Sequence, residues 1–211
     1  MSLLNNKKQM IRIQKLGVAV AVFCLGGIML VGCGAGKTEK TQLSIDKDGV
    51  ITSVIYEEFS EDYYDLDELS DMAAQEVSYY NSEYITPKIS LEETTVIEKD
   101  EQPVLKMTMV FNSYSDYSHF NQFSFFYGTI QDALDKGFEI SELLVDEDGN
   151  SFKMSELSDY LDKHIVISAD KTCIVTPYNI LYSTNGTVLE NIKTADFSNV
   201  SSDIIQLILS K

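Results

Sequence analysis

The sequence predicts an α+β fold, a mainly antiparallel sheet assembled from hairpins together with two to four helices. Two features predict it. Short runs rich in β-branched and aromatic residues are cut by Asp-Gly, Asn-Gly and Pro signals, which marks strands that return on themselves. Elsewhere apolar residues recur at spacings of three and four, as on one face of a helix. Hairpins joined by helices favour an antiparallel sheet, and an apolar content of 44% is enough to build its core.

Leu43 to Asp46 and Val50 to Tyr56 read as the first hairpin, because Lys47-Asp48-Gly49 between them is a turn. Asp65 to Asn81 reads as a helix. Leu66, Leu69, Ala73, Val77 and Tyr80 share one face, and Asp65 with Glu68 three positions on makes a capping box. Ile89 to Ile97 and Val104 to Phe111 form a second hairpin through residues 99–103, with Leu105, Met107, Met109 and Phe111 alternating toward the core. Thr129 to Lys136 is a short helix stopped by Gly137. Ile140 to Asp146 runs into a turn over residues 146–150, and Met154 to Leu161 reads as two helical turns capped by Ser151 or Ser155. Ile165 to Ser168, Thr172 to Thr176 and Ile180 to Ser183 are short strands, followed by a closing strand at Ile204 to Leu209. Asp46-Lys47-Asp48-Gly49 resembles Asp146-Glu147-Asp148-Gly149, which a shared turn explains without duplication.

The N-terminus carries an address. Lys7, Lys8, Arg12 and Lys15 form a basic region, and the 17 residues from Leu16 to Gly32 carry no charge. That is the pattern of an export signal. As a helix the apolar run spans roughly 25 Å, short of the roughly 30 Å hydrocarbon core, so a signal is favoured over a span. It ends in Leu30-Val31-Gly32-Cys33, which resembles the lipobox of bacterial lipoproteins. The resemblance implies diacylglyceryl transfer to Cys33, cleavage after Gly32, and an acyl anchor holding the chain on the outer face of the cell membrane. It implies nothing about the family of the remainder. The expected organisation is a signal peptide over residues 1–32, a flexible tether over 33–42 and one α+β domain over 43–211.

Charge narrows the partners. The full chain has a formal charge of −17; without residues 1–32 it keeps 12 Lys+Arg against 33 Asp+Glu, a charge of −21. Nine acidic residues lie between Glu57 and Glu76, where Lys and Arg are missing. Such a field repels phosphate backbones, so nucleic acid is not an expected partner. Only Cys173 remains besides the two N-terminal cysteines, which leaves the domain to packing rather than a disulfide.

Few residues offer chemistry. Eight aromatics fall between Phe111 and Tyr127. They read chiefly as core, with Tyr114 to His119 as the exposed portion, so Tyr114, Tyr117 and His119 are the expected contacts for a protein or glycan partner. Asp146, Asp148 and Asn150 fail the EF-hand pattern, because Gly149 sits fourth rather than sixth and Glu156 eleventh rather than twelfth; no metal or cofactor is expected. Cys173 and His164 are the one thiol and imidazole that a nucleophile would need, but a lone cysteine in a β-rich run reads as a small core residue. No motif of catalysis appears, and the expected function is a non-catalytic binding or accessory module. The alternative is an envelope hydrolase using two of the 33 acids.

Overall fold

Asp46 and the glycine three places on close the first turn, and the rest of the domain hangs from the strands on either side. In the computed structural model, which describes residues 40–211, β1 (Gln42–Ile45) pairs antiparallel with β2 (Ile51–Glu58). Gly49 adopts φ +83°, a left-handed conformation that a side chain disfavours. Helix α1 (Leu66–Asn81) starts at Asp65, whose carboxylate accepts the Glu68 N–H at 3.0 Å. It buries Ala73 and Val77 against the core, with Leu69 and Tyr80 packed beside them, and lies against β3 (Ile89–Lys99).

β3 returns as β4 (Gln102–Phe111) through a turn of only two residues, Asp100 and Glu101, both at positive φ (50° and 63°). That backbone twist matches the strands and makes the hairpin longer than the sequence suggested. Leu105, Met107, Met109 and Phe111 all point inward as the alternation predicted. Next comes a helix that the sequence reading missed, α2 (Tyr114–Asn121), followed by β5 (Phe125–Thr129) and α3 (Ile130–Asp135). The Thr129–Asp132 pair closes a full capping box on α3, and Gly137 ends it at φ +85°.

The remaining strands are β6 (Leu144–Val145), β7 (His164–Ser168), β8 (Cys173–Val175), β9 (Ile180–Thr184), β10 (Val188–Asn191), β11 (Thr194–Asp196) and β12 (Ile205–Leu209). The stretch expected as a capped α-helix is instead a 3-10 helix at Met154–Asp159, without a side-chain cap. Ser151 is committed to a β-bridge with Val145 and Ser155 lies inside the helix, so neither serine can cap it.

The strands form two sheets rather than one, and the protein is mainly β with a minority of helix. The first sheet runs β10-β11-β8-β1-β2-β4-β3 and is antiparallel except for the β1–β8 pair; the second runs β5-β7-β12-β9-β6. The second sheet is the middle layer. On β12, Ile205, Leu207 and Leu209 join the core shared with the first sheet, whereas Ile208 joins a second core with Phe126, Ile130, Ile140, Leu144, Phe152 and Ile165. Gln206 on that outer side is buried yet satisfied, bonding Ser141 N at 2.9 Å and Glu139 O at 2.7 Å.

The fold also claims part of the expected tether. Thr41 Oγ1 exchanges hydrogen bonds with Tyr56 N and O, Gln42 opens β1, and Lys40 pairs with Asp196 at 2.8 Å and with Glu190. Cys33 and the residues expected to form an export signal lie outside the described residues. Among the described residues, no helix is long and apolar enough to cross a membrane.

Candidate functional site

The ends of α1 and α2 meet at the edge of the fold and leave a groove between them. Each end is fixed by its own polar residues. Asn81, the last residue of α1, accepts the Lys88 and Ile89 N–H groups on its side-chain oxygen and donates to Ile89 O at 2.7 Å, which clamps the helix terminus to the start of β3. Ser82 Oγ donates to Tyr79 O at 2.7 Å, adding to the Ser82 N–H bond that the same carbonyl accepts at 3.1 Å.

α2 begins at Ser113, whose hydroxyl accepts Asp116 N–H and donates to the Asp116 carboxylate at 2.6 Å. It ends at Gln122 in a left-handed conformation, φ +58°. Ser118 Oγ then donates to Phe123 O at 2.5 Å and accepts Phe125 N–H, so the segment between α2 and β5 is folded back on the helix.

One hydrogen-bonded chain couples the two helices. Tyr84 hydroxyl donates to Tyr80 hydroxyl, and Tyr80 donates to Asp116 Oδ1, each at 3.3 Å. Burial, the bond to Tyr84 and the neighbouring Asp116 charge all push the Tyr80 phenol above its ordinary value, so it stays a neutral donor. Asp116 is 8% exposed and takes hydroxyl donors on both oxygens. The chain therefore sets the Tyr80 and Tyr84 rings, whose centroids are 5.2 Å apart.

The resulting groove is shallow and open to solvent, with a volume of about 620 Å³. Tyr80, Tyr84 and Phe123 supply its aromatic surface; Glu83, Ser118, His119, Gln122 and Ser124 supply polar groups. The volume lies within the range of small-ligand sites, roughly 300–1,000 Å³. Among its lining residues there is one carboxylate, Glu83, so the two-carboxylate pair of the hydrolase alternative is not found in this groove. A second depression, beside the first turns of α1, is lined by Asp65, Asp67, Glu68 and Asp71, all on a solvated helix face.

The residues expected as contacts divide. His119 is exposed and lines the groove. Tyr114 is half-buried, its ring set edge-on to Phe126 with centroids 5.0 Å apart. Tyr117 is corrected: it is 4% exposed, edge-on to Phe111, Phe123 and Phe125, and belongs to the core. Helical geometry explains the split, because Tyr117 faces the sheet while His119 lies two residues, over half a turn, around the helix. The sequence reading missed Tyr80, Glu83, Tyr84, Gln122 and Phe123. Ser113 followed three places on by Asp116 was a capping signal for α2, but nothing local pointed to its meeting with α1.

The other candidates separate in space. Cys173 lies in the first sheet and His164 in the second, where its ring packs against Tyr127 and Tyr178. Burial raises the Cys173 thiol to about 11, which removes the thiolate a nucleophile needs. At the Asp146 turn, Oδ1 accepts the N–H groups of Asp148 and Asn150 and Oδ2 accepts the Asn150 amide, a structural use of that carboxylate. Among the described residues no cluster of three or more His, Cys, Asp or Glu could hold a metal ion.

Together these features define a mainly β, two-sheet protein with an amphipathic groove between two helix ends. No protein-family model matches the chain, and no curated protein or solved structure does either.

Proposed function

We propose that the protein is a lipid-anchored extracytoplasmic module of α+β class that binds an envelope component, without catalysis, through the groove between α1 and α2. The observation that carries the binding part is the groove itself: fixed aromatic rings beside the exposed polar side chains of Glu83, His119, Gln122 and Ser124. The anchoring part rests on Leu30-Val31-Gly32-Cys33 behind a basic and apolar leader.

Labelling cells with a radioactive fatty acid tests the anchor. The full-length protein is expected to take up label and to fractionate with membranes, and Cys33→Ser to do neither. Equal labelling of the two chains, or an unmodified Cys33 in mass spectra of the native protein, would overturn this reading.

A further inference from the structure

We infer that the groove binds a neutral sugar, as a mono- or short oligosaccharide unit stacked on the Tyr80–Tyr84 platform. This inference rests on the groove being the binding site and adds the chemical class of its ligand. Three observations select that class.

The first is the hydrogen-bonding character of the rim. Glu83, His119, Gln122 and Ser124 make no side-chain hydrogen bond or ion pair among the described residues. Glu83 accepts, whereas the imidazole, amide and hydroxyl each donate and accept. A ligand that satisfies all four must itself offer many donors and acceptors close together. Sugar hydroxyls do both, whereas an ammonium group only donates and a phosphate group chiefly accepts.

The second is charge. The Glu83 carboxylate on the rim, in a chain of net charge −17, opposes an anionic ligand. The Lys88 ammonium lies 5.7 Å from the centre of the Tyr84 ring, so a cation stacked on that ring would meet a like charge. A neutral ligand avoids both penalties.

The third is the aromatic surface. A pyranose has one face of C–H groups that packs on a ring while its equatorial hydroxyls reach outward to polar neighbours, and tyrosine joins an apolar face to a polar tip. Tyr84 is 36% exposed and held by its bond to Tyr80, so the ring is presented without needing to be ordered on binding.

The test uses the full-length chain purified in a polyoxyethylene detergent, which carries no sugar headgroup. The protein is applied to an array of neutral, amino and acidic glycans and, in parallel, to a library of unmodified peptides. Expected is retention by neutral glycans with a Kd at or below about 1 mM. Tyr84→Ala and His119→Ala should each weaken it about tenfold or more, and Tyr84→Phe, which keeps the ring, by less. All three are to keep the parent circular dichroism; His119→Ala, altered at an exposed side chain, is also to keep the parent melting temperature, and Tyr84→Phe controls for loss of the Tyr84 bond to Tyr80. Retention only by acidic or amino glycans, or neutral-glycan binding unchanged in every variant, overturns the inference. Peptide binding lost in Tyr84→Ala, without glycan binding, overturns the sugar assignment alone. Binding in neither arm overturns the groove as a site altogether.

Discussion

One aspartate oxygen in each organises two turns, at Asp46 and at Asp146. Asp46 Oδ1 accepts the N–H groups of Asp48 and Val50, Asp146 Oδ1 accepts those of Asp148 and Asn150, and the glycine three places on sits at φ +83° in both. The resemblance of the two stretches is thus a shared solution to one backbone problem. Lys40 shows what a lone cation does in an acidic protein. Burial opposes its charge, but hydrogen bonds to Asp196 and Glu190 outweigh that and raise its ammonium above the ordinary 10.5. Burial also opposes the Asp196 carboxylate, and the Lys40 and Ser198 bonds still hold it below 3.8. A raised lysine stabilises below its unfolded value and loses that contribution as pH rises through the folded one; a depressed carboxylate stabilises above its unfolded value and loses it as pH falls. Lys40→Ala should therefore cost about 1 kcal/mol or less at neutral pH. In urea titrations its deficit should shrink below pH 4 and above pH 10.5. Cys173 gives a second residue-level expectation. With its thiol raised by burial to about 11, iodoacetamide should label the native protein slowly at pH 8 and rapidly once urea unfolds it.

Elements differ in how plainly they were written. α1 was legible because one of its faces meets solvent, and β4 because its side chains alternate between core and surface. β12 was expected as a closing strand, and is one, but without a period to show it, since all five of its residues are buried and its two faces serve different cores. A strand in a middle layer has no polar face to reveal its period. Leu207→Ala should cost about 2–5 kcal/mol in chemical unfolding because the cavity opens in the shared core. Gly128 has a similar origin: a Cβ there would stand 2.8 Å from Phe126 Cζ, so Gly128→Ala is expected to destabilise through the Phe126 ring. The β3–β4 turn points the other way. Asp100 and Glu101 both hold positive φ without being glycine, and replacing them together by Asn-Gly should raise stability by about 1 kcal/mol.

For the molecule as a whole, charge dominates. The described residues carry most of a 33 to 16 excess of acidic over basic groups, and few of those acids have a cation beside them. Self-repulsion of this kind is screened by salt, so the melting temperature should rise between 10 mM and 500 mM sodium chloride, by about 2–4 °C for each 1 kcal/mol relieved. A flat response would mean the acids are spread too widely to interact. What the sequence determined by itself was local: which runs extend or coil, where Asp-Gly turns fall, and the net charge, because each depends on neighbours a few positions away. It also carried Leu30-Val31-Gly32-Cys33, whose resemblance to a lipobox belongs to the linear chain and not to the fold. Only the tertiary structure decided that the strands divide into two sheets, that Tyr117 turns inward while His119 stays out, and that Tyr84 stands across a groove from Gln122. Those outcomes depend on which distant surfaces bury one another, and no short stretch of chain encodes that choice alone.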